Sequence, residues 1–266
     1  MRPEITAPHK FVGNELGRPE DAQRGRAKEG AHQSSGTPPS RRIRSFVRRQ
    51  GRITAAQRAA LAELWPRFGL DPGLAFDPLA VFGRRVPLTL EIGFGDGEGL
   101  VEMASASPNE DFLGVEVHTP GVGHLLLQLE KRGLGNVRVY CADAVEVLER
   151  CIPDASLERI LVLFPDPWPK KRHHKRRLVT PEFACLAAAK LTAEGLLHAA
   201  TDWEDYAHWM LEALNGCAEI ENLAEDGGFS PRPEYRRLTK FEQRGRRLGH
   251  AVWDLVFRRP AEAGRR

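Results

Sequence analysis

Four acidic residues stand where apolar runs end, and each is placed to do chemistry. Glu91 opens the glycine-rich turn EIGFGDG (91–97), Glu116 lies near the end of FLGVEV (112–117), Asp143 follows VRVYCA (137–142), and Asp166 sits between prolines in FPDPWP (164–169). Gly93 and Gly95 let the backbone approach a ligand closely, and free N–H groups of a helix starting behind them add polar contacts. A dinucleotide fingerprint requires GxGxxG, but Glu98 holds the place of the third glycine, so a nicotinamide cofactor fits poorly. An acid in the position of Glu116 can accept hydrogen bonds from both hydroxyls of a ribose, and one in the position of Asp143 can accept from the exocyclic amine of adenine. Asp166 has different surroundings. Pro165, Pro167 and Pro169 hold it and Trp168 on a stiff turn, and six basic residues follow: Lys170, Lys171, Arg172, Lys175, Arg176 and Arg177. Such a run is either a solvated loop or a surface for a polyanion.

The elements that must carry these residues are legible from periodicity. Strand-like runs at 87–92, 112–117, 137–141, 159–164 and 196–200 alternate with helical patterns at 97–106, 121–132, 144–151, 181–191 and 203–214. The stretch 160–164 is apolar throughout, as in a strand covered on both faces, and Val122, Leu125, Leu126 and Leu129 recur at helical spacing. This alternation predicts an α/β fold, a doubly wound and mostly parallel sheet whose ligands bind outside the carboxyl ends of the strands. All four acids fall at such ends. A helix is expected from Thr54, its N-cap, through TAAQRAALAELW (54–65), with Pro66 ending it soon after. Past residue 215 the alternation weakens, and 251–257 reads as a last strand on an antiparallel edge.

One domain is therefore expected over 41–258, between a disordered basic tail at 1–40 and a flexible C-terminal tail at 259–266. Residues 41–49 interleave five arginines with Ile43, Phe46 and Val47. Two uses fit that segment: an RNA-contacting arm, or a basic lead-in packed by its apolar residues.

Composition narrows the class. Of 266 residues 41% are apolar, enough for a substantial core, and 39 Lys plus Arg against 36 Asp plus Glu leave the chain only mildly basic. Clustering of charge, not its sum, points to a polyanion. The four cysteines, Cys141, Cys151, Cys185 and Cys217, form no CxxC pair, so they read as free thiols of a reducing compartment without zinc-site spacing. His173 and His174 have no nearby Cys or His ligands in sequence, and no metal is expected. No stretch approaches the roughly 18 to 20 apolar residues of a membrane span, and the N-terminus lacks a secretory apolar core, so no membrane association is expected and the cytoplasm is the expected compartment.

The carboxylate two places before the first glycine, in an ExGxGxG frame, resembles the adenosylmethionine loop of class I methyltransferases. Further motifs sharpen this: GVEVHTPGV (114–122), DA (143–144), FPDPWPKKRHHKRR (164–177), TDWEDYA (201–207) and TKFEQRG (239–245). Together they resemble the bacterial tRNA (guanine-N7-)-methyltransferases from about residue 41 to 258, with Gly99 standing where that family often carries Ser.

The resemblance implies a class I methyltransferase (Rossmann-like) fold that transfers the methyl group of S-adenosyl-L-methionine to N7 of a guanine in the tRNA variable loop. It implies cofactor contacts from Glu91, Gly93, Gly95, Glu116, Asp143 and Asp166, with Asp166 also catalytic. It assigns substrate contacts to Lys170, Asp202, Thr239, Lys240, Phe241 and Glu242, with Lys170 on a phosphate, and the RNA backbone to Arg172, His173, His174, Lys175, Arg176 and Arg177. Trp168 and Trp203 are expected to pack rather than stack on a base, and a monomer or homodimer is the expected unit. A small-molecule methyltransferase would have no need of the basic run. A non-catalytic tRNA binder would keep the basic run but have no need of an intact set of cofactor acids.

Overall fold

A computed structural model describes residues 45–46, 51–236, 238, 242 and 251–261. The expected N-terminal tail, most of 41–49, Thr239, Lys240, Phe241 and residues 262–266 lie outside the described residues.

Five strands run parallel: β1 (Leu88–Ile92), β2 (Asp111–Val115), β3 (Val137–Tyr140), β4 (Leu157–Leu163) and β5 (Leu191–Thr201). With β6 (Glu221–Asn222) and β7 (Trp253–Arg258) they form one sheet in the order β3-β2-β1-β4-β5-β7-β6. β7 lies antiparallel between β5 and β6, which makes the expected edge two strands wide. The helices explain why every residue of β1 and β2 is buried. On one face lie α1 (Ala55–Glu63), α2 (Trp65–Phe68), α4 (Glu98–Ala106) and α5 (Thr119–Arg132), packed around Leu61, Phe68, Leu100 and Leu126. On the other lie α3 (Pro78–Phe82), α6 (Ala144–Arg150), α7 (Pro181–Lys190) and α8 (Glu204–Asn215), packed around Leu148, Phe183, Tyr206 and Met210. Among the described residues no helix is long and apolar enough to cross a membrane.

The details follow local chemistry. Thr54 caps α1 in a capping box with Gln57, as its sequence position predicts. Pro66 does not terminate that helix. The chain turns at Leu64, and Pro66 sits in the first turn of α2, where its missing N–H has no intrahelical partner to lose. β5 begins five residues before the expected 196, because Leu191 pairs with Leu157 across a register shift and Glu194 takes a left-handed φ of 65°. The Gly and Glu of that stretch conceal a strand that its neighbour imposes. β6, two residues long, and the five-residue α3 carry too little periodicity to be seen in sequence.

What matters for function is where the strand order reverses. β1 pairs with β2 on one side and β4 on the other, so the loops after β1 and β4 diverge to opposite faces and open a crevice at their carboxyl ends. Helix α5 supports that crevice from below. A Cβ on Gly121 would lie 2.0 Å from the carbonyl oxygen of Gly95, in the glycine-rich turn. Gly121→Ala is therefore expected to push α5 off the turn and destabilise the protein by about 1–3 kcal/mol. Thermal unfolding should register roughly 2–4 °C for each kcal/mol, and an unchanged Tm would show that the contact is not tight.

Candidate functional site

The crevice is bounded first by the turn after β1. Gly93 and Gly95 have φ of 76° and 61°, and a Cβ on either would meet nothing within 4 Å among the described residues. Left-handed backbone and open space together make a surface on which a ligand can lie against the main chain. The Gly95 N–H donates to Glu116 Oε2 at 3.0 Å, while Glu116 Oε1 accepts from the N–H groups of Val117 (2.7 Å) and His118 (2.9 Å). Three backbone amides thus fix this carboxylate just beyond β2. Of its roughly four acceptor positions three are used, so one remains on Oε2. The expected role, accepting from two ribose hydroxyls, requires the ligand to displace one backbone donor.

Two cavities flank the glycine turn. One, of about 580 Å³, is lined by Gly93, Gly95, Glu116, His118, Phe46 and Asp166. The other, of about 680 Å³, is lined by Glu91, Gly93, Gly95, Phe164, Tyr235 and Arg236. Glu91, the fourth residue of β1, is 6% exposed, and its buried Oε2 has no hydrogen-bond partner among the described residues. Burial, then Asp96 and Glu116 nearby, push its carboxyl up to about 7. An unpartnered buried carboxylate oxygen beside open backbone fits a cationic ligand group such as the ammonium of adenosylmethionine. The residues present therefore suit that cofactor. Asp143 caps α6, accepting from the Val145 N–H at 3.0 Å, and its neighbours Ala142 and Ala144 line the smaller cavity. Asp143 itself stands between these two lining residues.

Asp166 is exposed and shares the smaller cavity with Glu116. The turn that bears it is held at both sides by left-handed residues, Phe164 (φ 53°) and Trp168 (φ 48°). Such backbone persists only where surrounding contacts enforce it. The Trp168 indole donates to the Ser45 carbonyl at 3.1 Å, meets His173 edge-on at 5.8 Å, and lies 5.2 Å under the Arg176 guanidinium. Trp168 is thus a packing residue, whereas Trp203 is 42% exposed. Ser45 and Phe46 pack here against the Trp168 turn and the cavity, so this part of the 41–49 segment behaves as a packed lead-in.

The basic run is a 3₁₀ helix, Lys171–Arg176, rather than an irregular loop, and only part of it faces outward. Lys170, Lys171, Arg172 and Lys175 are exposed; His173, His174 and Arg176 are half-buried. Arg177 corrects the expectation of an RNA contact. It is 3% exposed, its Nε donates to the Pro167 carbonyl at 3.0 Å, its Nη2 pairs with Asp205, and its plane lies over Tyr206 and Trp209 at 4.9 and 5.1 Å. Its charge is spent on tying the Asp166 turn to α8. Glu242 requires a second correction. It is 1% exposed and accepts from Arg236 Nη1 and Nη2 at 2.5 and 3.1 Å, so it is an internal partner rather than an open substrate group. Asp202, one residue beyond β5, is half-buried and lines neither cavity.

Sequence reading missed the network behind Glu242. Arg236 also donates to Asp254 Oδ2 at 2.9 Å, and Asp254 Oδ1 lies 2.8 Å from His198 Nε2. Burial lowers the His198 pKa, which favours the neutral ring donating to Asp254. Polar residues inside the apolar runs LLHAA and VWDLV were the available signal. This network anchors Arg236 and Tyr235, which wall the larger cavity, onto β5 and β7.

The chain is similar to known proteins. A family described as "putative methyltransferase" matches residues 85–255. The tRNA (guanine-N(7)-)-methyltransferase of Methylococcus capsulatus is 69% identical over 221 residues, 83% of this chain and 96% of the relative. The enzymes of the same name from Pseudomonas aeruginosa and Alcanivorax borkumensis are 58% and 56% identical, each aligned over 83% of this chain and over 91% and 93% of their own lengths.

Glu91 makes a stability prediction with a defined sign. Its folded carboxyl titrates near 7, above the ordinary value of 4.5, so the charge is disfavoured by folding. The stability lent by the bound proton is full below pH 4.5 and is lost as pH rises through 7. Ligand-free Glu91→Gln should match the parent near pH 4.5 and be more stable at pH 8, by on the order of 3 kcal/mol. Unfolding melts at both pH values test this; equal melts at the higher pH would contradict it.

Proposed function

Since this chain belongs to the tRNA (guanine-N(7)-)-methyltransferase family, we propose that its acceptor is a guanine of the tRNA variable loop, methylated in the crevice between β1 and β4. The chain transfers the methyl group of S-adenosyl-L-methionine to N7 of guanine in tRNA. One observation supports this location above the rest. Amide-oriented Glu116 and exposed Asp166 share a cavity beside a basic 3₁₀ helix, with the unpartnered Glu91 oxygen across the glycine turn.

The bound cofactor supplies a methyl group on a sulfonium centre. Guanine N7 has an in-plane lone pair and no proton, so the protein needs no base to create the nucleophile; it needs alignment. In this reading Glu91 holds the ammonium end of the cofactor against the open backbone of Gly93 and Gly95, Glu116 takes a ribose hydroxyl, and Asp143 takes the adenine amine. Asp166 faces the acceptor. As positive charge arrives on the purine, a carboxylate about 4 Å away gains on the order of 4 kcal/mol at an effective dielectric of about 20. Only the part of that gain absent from the ground state accelerates transfer. Asp202 and Thr239–Phe241 hold the guanine edge, and Glu242 positions that segment through Arg236. Lys170, Lys171, Arg172 and Lys175, the outward side of the basic run, contact phosphates. The cytoplasm is the compartment this reading assigns.

Unmodified tRNA incubated with labelled adenosylmethionine should yield label in 7-methylguanosine of the variable loop. Label at a guanine elsewhere in the tRNA would overturn the assigned position. Asp166→Asn should keep cofactor affinity while kcat falls on the order of a hundredfold or more; near-normal turnover would remove Asp166 from the mechanism. Two kinds of basic residue should also separate. Alanine at Lys170, Lys171, Arg172 or Lys175 should reduce the salt slope of tRNA binding by about one each. Arg177→Ala should leave that slope unchanged and lower stability on the order of 2 kcal/mol, because it empties space between Tyr206 and Trp209. A slope change in Arg177→Ala would reverse its reassignment.

A further inference from the structure

Far from the crevice, three soft or anionic donors that are scattered in sequence come together. Cys185 projects from α7, and Cys217 and Glu219 belong to the turn joining α8 to β6. The Cys217 thiol lies 3.1 Å from Glu219 Oε2, the Cys185 thiol lies 4.0 Å from the same oxygen, and all three donor atoms fall within 4.8 Å of one another. Cys217 is 2% exposed, whereas Cys185 and Glu219 face solvent. None of the three lines either cavity. The cluster sits at the C-terminal end of α8 while the crevice sits at its N-terminal end, about 18 Å of helix away.

We propose that Cys185, Cys217 and Glu219 form a zinc site that staples α7 to the turn before the edge strand β6. The argument is geometric and chemical. Zinc bound at about 2.3 Å from sulfur and 2.0–2.2 Å from oxygen in a tetrahedron separates its donors by roughly 3.5–3.8 Å. The observed separations bracket that range, so loading requires shifts well under an ångström for the two Glu219 contacts. Two thiolates and one carboxylate select a borderline-soft ion over magnesium or calcium, which take all-oxygen shells. The exposed side, next to Cys185, leaves the fourth position to water. A disulfide would use the two sulfurs and give the converging carboxylate no part. Both sulfurs load by releasing their thiol protons to solvent as the metal–sulfur bonds form.

The test uses the untagged full chain, reduced and stripped of metal, titrated with Co²⁺ and then Zn²⁺. One equivalent of Co²⁺ should produce sulfur-to-metal charge transfer and the intense visible bands of a tetrahedral site, and Zn²⁺ should displace it and raise Tm. Cys185→Ala changes an exposed side chain and should fold normally, yet lose at least about a hundredfold in Zn²⁺ affinity, more than loss of a supporting contact alone would cause. Glu219→Gln should weaken binding while keeping the sulfur charge transfer. Methyl transfer should be unchanged in both. Absence of the charge-transfer band, a band that survives in Cys185→Ala, or air oxidation to a Cys185–Cys217 disulfide with no metal retained would each overturn the proposal.

Discussion

The hydrogen-bonded seam between β1 and β4, from Thr89–Arg159 to Ile92–Val162, is the constraint on which the rest depends. It joins two parallel strands whose helical connections lie on opposite faces, so the chain leaves their carboxyl ends in opposite directions and opens a crevice there. The EIGFGDG turn leaves on one side and the FPDPWP turn on the other. The four acids that frame the crevice stand on those turns or just beyond the ends of the neighbouring strands. A shift of one residue in that seam would turn Glu91 and Leu161 to the wrong faces and dismantle the site.

The second organising feature is the uneven treatment of buried charge. Arg177 and Arg236 are nearly inaccessible, and each is held by named partners: Asp205 and the Pro167 carbonyl for the first, Glu242 and Asp254 for the second. Buried ions kept in this way fix geometry more than they add stability. Arg177 locks the Asp166 turn to α8, and Arg236 locks the wall of the larger cavity to the antiparallel edge. Glu91 is treated differently, with one oxygen left unpartnered in the interior. That is a cost in the free protein which a cationic ligand removes, so binding energy is stored as an unmet interaction.

Much of the fold was legible because its signals are local. Apolar runs, helical spacing, the Thr54 capping box and Pro181 at a helix start each depend on neighbours in sequence, and the structure places the corresponding elements within a few residues. Elements imposed from outside were not legible. The first half of β5 exists because Leu157 offers a partner to Leu191, and β6 exists because β7 offers one to two residues.

The candidate site divides along the same line. Residue type and spacing by themselves determined a glycine turn with acids at successive strand ends and a proline-held acid followed by a basic run, because strand order converts sequence position into proximity in this architecture. They could not determine which basic side chains face water: Lys175 points out, while Arg177, two residues on in the same run, points in. Nor could they show that Glu242 is consumed by Arg236, or that Cys185 and Cys217 meet. Those outcomes depend on which surfaces α7, α8 and β7 bring together, and contact between residues far apart in the chain is set only when the whole core packs.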